Sequence, residues 1–536
     1  MTAWHWAEKN GSLENLQQIY ECAEGKLTTE VLKSKLLLGT DSEGRTAWHY
    51  AAENGNLDVL QKLWEWAEDK LTTEEINIKM LLGTDREGWT CWHYAAENDN
   101  LELLQKLWEW AEEKLKTEEI NDKLLLGRDN MGRTVWQVAA WKGNLELLQK
   151  VWEWAEEKLK REEINNKLLL GTDNIGRSTW QMAAWKGNLE ILQKVWEWAE
   201  EKLTTKEINK KILLGTDNHG KTAWHYAAYC GNLKVLQKIY ECAKKKLTTD
   251  EIKYKLLLGK DSEERTAWHL AAKEQKLETL QKVWEWAEEN LTREEINNKL
   301  ILCTDNWGIT TWHWAALNGN SEVLQKVWEW AEKKLKPEEI NNRLLLGTDN
   351  DGTTAWHWVA YEGHLEILHK IWEWAEEKLT TEEINNKLLL GTDNMGRTSW
   401  QIAAGKGNLE ILQNVWEWAE EKLTTEEINN KLLLGTDNEG WTAWHYAVYC
   451  GKLNVLLKIY ECAKEKLTTE EINNNLLLGT DNMGRTTWQI AAWKGNLDIL
   501  QKLWEWAEEK LTTEEINNTL LLGRDKEGKT AWQYSA

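Results

Sequence analysis

The sequence predicts an all-α solenoid of about twelve 44-residue helix-turn-helix units, each with an extra short third helix, and three observations carry that reading. One stretch, Thr46-Ala47-Trp48-His49-Tyr50-Ala51-Ala52-Glu53-Asn54-Gly55, returns in variant form every 44 residues. It starts from Thr2, Thr46, Thr90, Thr134, Ser178, Thr222, Thr266, Thr310, Thr354, Thr398, Thr442, Thr486 and Thr530. Such a period marks units that cannot bury their apolar faces alone and rely on their neighbours. The apolar residues within each period follow helical spacing on two faces, and the capping residues stand where such helices should begin and end. No change in composition and no Pro/Gly/Ser-rich linker divides the chain, so one continuous array over residues 1–536 is expected.

In the second repeat Thr46 is the expected N-cap of a first helix from Ala47 to about Asn54, and Gly55 supplies the positive φ of a tight turn. Along the second helix, from Leu57 to about Lys70, the residues Leu57, Leu60, Trp64, Ala67 and Leu71 make one apolar stripe. Val59, Leu63 and Trp66 make another. A helix apolar on two sides must be covered on two sides, by its own first helix and by adjoining repeats. Thr72-Thr73-Glu74-Glu75 reads as a capping box that opens the short third helix. The single proline, Pro337, falls at the equivalent of Thr73, the first helical position, where a missing N–H costs nothing. Asp85 and Gly88 then form an Asx-type turn that leads into the next repeat.

A second period lies over the first. Tyr20-Glu21-Cys22, Tyr240-Glu241-Cys242 and Tyr460-Glu461-Cys462 replace the usual Trp-Glu-Trp at intervals of five repeats, so blocks of five were copied together. That copying explains a composition with 40 Trp and no Phe. A formal net charge of −23 argues against nucleic acid as a partner, because binding there rests on clustered Lys and Arg. The start lacks the basic and apolar regions of an export signal, and the apolar runs are too short to span a membrane. The odd count of 7 Cys, with no CxxC pair, fits reduced thiols and a cytoplasmic setting.

With these residues placed, Asp85-x-x-Gly88-x-Thr90-x-Trp92-His93-x-Ala95-Ala96 followed by Leu101-Glu102-x-Leu104 resembles the ankyrin repeat, unit after unit. Three departures stand out. A small residue replaces the family's Pro, Trp replaces its Leu, and about eleven extra residues, the Glu-Lys-Leu-Thr-Thr-Glu-Glu-Ile-Asn stretch, follow the second helix. The resemblance implies two packed helices per repeat and contact with partner proteins through the turn tip and the inner helix end.

The recurrent residues read as architecture. The Trp of the Trp48 position and of Trp-Glu-Trp are core. The His49 position holds Gln137, Gln181, Gln401, Gln489 or Gln533 in other repeats, and Gln can replace a hydrogen-bonding His but not a metal ligand or proton shuttle. Glu pairs such as Glu74-Glu75 sit at helix starts, where the dipole favours negative charge. No nucleophile elbow, phosphate loop or zinc-spaced set is found, so neither enzymatic activity nor a cofactor nor a metal is expected.

The informative positions are those where the copies differ in chemical type. After the turn glycine stand Arg45, Arg133, Arg177, Lys221, Arg397 and Arg485, or the aromatics Trp89 and Trp441. Before it stand Met131, Ile175 and Trp307, with Met395 and Met483 in the same column. After the second Ala of the first helix come Trp141, Trp185, Tyr229, Tyr361, Tyr449 and Trp493, among charged residues in other copies. Together these predict one concave ridge of interface-type residues.

The function expected is that of a protein–protein interaction scaffold. The alternative is an ankyrin-like stalk or targeting region of a larger protein, a channel or ubiquitin-ligase adaptor for example, whose activity lies outside this chain. The chain opens inside a first helix and stops inside another at Tyr534-Ser535-Ala536 with no polar capping unit, so both ends are expected to be truncated. One repeat is expected to be weakest. Glu264 replaces the turn glycine and Gln275 the inter-helix glycine of the same repeat, which predicts early hydrogen exchange near residues 262–276.

Overall fold

A computed structural model describes residues 3–535; the Thr2 cap and Ala536 lie outside the described residues. The chain divides into two compact units, Met1–Leu270 with Gln281–Trp286, and Ala271–Leu280 with Ala287–Ala536. Each unit is an all-α solenoid of repeats. Among the described residues there is no strand, and extended pairing is confined to isolated bridges such as Thr172 with Ser178 at the turn. Each repeat is counted from its capping residue, with the turn tip just before that residue taken as its own.

In the second repeat the first helix runs Ala47–Glu53 and the second Leu57–Lys70, with Gly55 at φ 65° between them. Thr72 and Glu75 close the expected capping box: Thr72 N–H donates to Glu75 Oε2 at 2.9 Å, and Glu75 N–H to Thr72 Oγ1 at 3.2 Å. Pro337 occupies the first turn of the equivalent helix, Pro337–Glu339. The third helix keeps α geometry only over Thr73–Glu75 and then widens to a π-helix over Ile76–Leu81, with Leu82 N–H bonded to Asn77 O, five residues back. The wide turn buries Ile76, Met80 and Leu81 against the second-helix layer. A Cβ on Gly83 would meet Lys79 O at 2.2 Å, which is why a glycine ends the segment.

The extra residues bind one repeat to the next. Asn77 Nδ2 donates to Lys114 O at 2.9 Å, satisfying a carbonyl at the C-terminus of the following second helix, and Asn385 does the same for Lys422. Lys114 Nζ in turn reaches back to Glu68 at 2.8 Å and Lys422 to Glu376 at 2.8 Å.

The core is a column of aromatic triplets. Trp48 lies against Trp64 of its own repeat (5.9 Å between centroids) and Trp110 of the next (5.6 Å), while Trp64 and Trp110 stack at 4.5 Å. The pattern returns at Trp328 with Trp374 (4.4 Å) and Trp372 with Trp418 (4.3 Å). At Cys242 and Cys462 the second ring of the pair is missing. Both thiols are buried, and burial pushes each up to about 12.

His49 ties the first helix to the closing loop of its repeat: Nδ1 accepts from Thr46 N–H at 3.1 Å and Nε2 donates to Gly83 O at 3.2 Å. Gln137 makes the same pair of contacts, accepting from Thr134 N–H at 3.1 Å and donating to Gly171 O at 3.2 Å. Burial pushes the His93 and His445 imidazoles down to about 4, a structural rather than acid–base state.

Among the described residues three non-glycine residues take positive φ: Glu264 at 60°, Gln275 at 59° and Asp99 at 57°. The first two are those expected from the sequence; the third, Asp99, replaces the inter-helix glycine of the third repeat.

Candidate functional site

From Asp85 onward each tip is built on a buried aspartate. Asp85 Oδ1 accepts from Glu87 N–H and Trp89 N–H at 2.9 Å each, while Asp85 N–H donates to Trp89 O, so the loop is closed by its own first residue. Successive tips are joined through the backbone, as in Asn174 N–H to Met131 O at 2.9 Å and Asn438 N–H to Met395 O at 2.9 Å. Asn side chains reinforce the link, for example Asn438 Nδ2 to Asn394 O at 2.9 Å. Within each compact unit the side chains that follow the glycine are therefore set in a row by these links between successive tips.

The arginines of this row fold back on the turn. Arg133 Nε lies 2.9 Å from Asp129 Oδ2, Arg397 Nε 2.8 Å from Asp393 Oδ2, and Arg485 Nε 2.8 Å from Asp481 Oδ2. Arg177 makes two such bonds to Asp173 Oδ2, at 2.8 and 2.6 Å, and is itself buried. Arg45 instead bonds Glu53 at 3.2 Å and approaches Asp85 of the next tip at 3.7 Å. Lys221 lies 5.9 Å from the ring centres of both Tyr226 and Tyr229.

The guanidinium faces that remain cover aromatic rings. Arg177 sits 5.6 Å from Trp141 and 5.1 Å from Trp185, Arg133 sits 5.5 Å from Trp89, and Arg485 sits 5.9 Å from Trp441 and 5.4 Å from Trp493. Trp141 and Trp185 meet edge to face at 4.8 Å, and Trp185 stacks on Tyr226 at 5.2 Å. Tyr449 lies 5.0 Å from Trp441 and 5.8 Å from Trp493. The sequence columns thus come together in two aromatic–cationic patches, one in each compact unit.

Exposure separates the members of this set. Trp493 (43%), Tyr361 (37%) and the tip residues Met131 (42%), Trp307 (48%), Met395 (50%) and Met483 (37%) are open to solvent. Trp89, Ile175, Trp185, Tyr229 and Trp441 are half-buried. Three lysines absent from the sequence-based set complete the surface: Lys186 Nζ lies 3.9 Å from the Trp141 ring centre, Lys406 3.6 Å from Tyr361 and Lys494 3.8 Å from Tyr449. Their signal was a lysine one residue after the variable position, which is held by Trp185, Gly405 and Trp493 in these repeats, lying over the ring at that position in the repeat before.

The ankyrin repeat family model matches residues 43–69, which cover the tip, first helix and most of the second helix of one repeat. With the helical pattern repeated in both compact units, this fits an ankyrin-like repeat protein. A comparison with curated proteins found no match. Ankyrin repeats are generally protein-interaction modules and typically non-enzymatic. No helix among the described residues is long and apolar enough to cross a membrane.

Proposed function

We propose that the chain is a protein–protein interaction scaffold acting in the cytoplasm, which engages partner proteins through its turn tips and inner helix ends. The observation that carries this reading is the patch formed by Trp141, Trp185 and Lys186, in which large aromatics and a cation are gathered at half-exposed positions and ordered by neighbours. Residues of these types, rigidly held and incompletely covered, dominate the energetics of protein interfaces. A second patch of the same kind surrounds Tyr449, Trp493 and Lys494, and affinity gained over several repeats would grow by multivalency.

The test compares proteins retained by the immobilised native chain with those retained by a Trp141→Ala, Trp185→Ala, Lys186→Ala variant whose helicity is unchanged. Selective loss of one or more partners is expected. Equal retention of every partner would overturn the reading.

A further inference from the structure

In the ninth repeat the residue after the turn glycine is Thr353, the smallest in a column otherwise made of Arg, Lys, Trp and Ile. A cavity of about 260 Å³ opens beside it, walled by Trp358 and Tyr361 of the same repeat and by Met395, Arg397 and Ile402 of the next.

Two repeats further on the same space is full. Trp441 stands at the Thr353 position, with its ring 5.2 Å from Tyr446 and 5.0 Å from Tyr449, both edge to face. Its Nε1 donates to Asp481 Oδ2 at 3.1 Å, and the Arg485 guanidinium lies 5.9 Å from its ring centre. The walls correspond in register: Trp358 to Tyr446, Tyr361 to Tyr449, Met395 to Met483, Arg397 to Arg485 and Ile402 to Ile490. The third repeat repeats the arrangement, with Trp89 edge-on to Tyr94 at 5.0 Å and 5.5 Å from the Arg133 guanidinium.

The polar end of the cavity matches as well. Asp481 Oδ2 accepts from Arg485 Nε at 2.8 Å and Nη2 at 2.7 Å, and its third donor is the Trp441 indole. Asp393 Oδ2, on the cavity wall, accepts the same two bonds from Arg397, at 2.8 and 2.7 Å. The indole donor is the contact that the ninth repeat lacks.

We propose that this cavity is a socket for a tryptophan side chain of a partner protein, a role that rests on the tips and inner helix ends facing that partner. The fit is the one the chain makes with its own Trp441. An incoming ring meets the edges of Trp358 and Tyr361, lies beside the Arg397 guanidinium and offers its N–H to Asp393 Oδ2. A guanidinium there would be repelled by Arg397, a carboxylate would be repelled by Asp393 and the exposed Asp351, and a phenyl ring would leave the Asp393 acceptor unused.

The probe is N-acetyl-5-fluorotryptophan amide, followed by its fluorine resonance, which the chain's own tryptophans do not obscure. Saturable binding at one site of the native chain is expected. Thr353→Trp, which copies the eleventh repeat and fills the socket from within, should weaken binding by about tenfold or more, and Thr353→Ser should leave it unchanged. Trp441→Thr should empty the sister space and raise the stoichiometry from one site to two, a gain that misfolding cannot mimic. The phenylalanine analogue should bind at least about fivefold more weakly. Absence of binding to the native chain, native binding by Thr353→Trp, a stoichiometry unchanged by Trp441→Thr, or equal binding of the phenylalanine analogue would each overturn the proposal. None of these outcomes touches Trp141, Trp185 or Lys186, so the socket can fail while the scaffold reading stands.

Discussion

The buried indole of the Trp48 column offers a sharp test of how neighbouring repeats share hydrogen bonds. Trp356 Nε1 donates to Ser399 Oγ at 3.0 Å, Trp136 Nε1 to Thr179 Oγ1 at 2.8 Å and Trp444 Nε1 to Thr487 Oγ1 at 3.3 Å. In each case the acceptor is the first residue of the next repeat's first helix. Where that residue is Ala, Cys or Val, as at Ala47, Cys91, Val135, Ala223, Ala355 and Ala443, the indole N–H of Trp4, Trp48, Trp92, Trp180, Trp312 and Trp400 is buried without a partner. Ser399→Ala should therefore strand the Trp356 donor, at a cost of about 1–3 kcal/mol. Ala443→Ser should satisfy the Trp400 donor and gain about 1 kcal/mol, since serine is well tolerated at a helix start. Repeat arrays need not unfold in one step, so the readout is amide hydrogen exchange resolved by peptide. Protection of the first helices Ala355–Glu362 and Ser399–Lys406 should fall in Ser399→Ala, and that of Ser399–Lys406 and Ala443–Tyr449 should rise in Ala443→Ser. If the first change costs less than about 0.5 kcal/mol and the second gains nothing, the hydrogen bond is not what distinguishes these repeats.

Acid should loosen the histidine repeats selectively. The His93 and His445 pKa values fall from 6.5 to about 4 on burial, so the unfolded chain binds the proton first. Their stability contribution is thus present above pH 6.5 and is lost as pH falls toward 4, by about 3 kcal/mol each. Exchange in those repeats should rise over that window while the Gln137 and Gln181 repeats stay flat, and His93→Gln should remove the local pH dependence. Glu264→Gly should relieve the left-handed strain of a Cβ and stabilise by about 1 kcal/mol. Gln275→Gly should gain less, because it also gives up the bond from Gln275 Nε2 to Asn318 O at 3.1 Å. In the native chain exchange near residues 262–276 should be early, and uniform protection through the seventh repeat would refute the strain argument.

Much of the fold could be read from the sequence because its local signals agree with one another. Thr72 with Glu75, Pro337 and Gly55 each specify backbone geometry by a mechanism that needs no distant partner, and all three behave as their chemistry requires. The His–Gln interchange was equally legible, since both offer an acceptor and a donor in the same places. The π-turn at Ile76–Leu81 was not, because a widened turn of six residues leaves no period of its own in the sequence. The positive φ of Asp99 was less legible, because Asn98-Asp99-Asn100 reads as an ordinary loop, although Asn and Asp are the residues that best tolerate positive φ after glycine.

The candidate site was legible as a set of columns but not as a set of contacts. An arginine four residues after the turn aspartate looks like an exposed cation when the column is read downward. Read along the chain, the spacing returns Arg133, Arg397 and Arg485 to Asp129, Asp393 and Asp481. Neutralised in this way, the guanidinium turns its flat face to the aromatics beside it. The same column is therefore closed by arginine at Arg133, Arg177 and Arg485, closed by tryptophan at Trp89 and Trp441, and open at Thr353. Since the walls are copied with the repeat, what makes the ninth repeat distinct is a deletion of bulk, and a search for large residues passes over it. In an array built by duplication, a ready-made site arises most cheaply where one copy loses the side chain that its siblings use to fill their own surface.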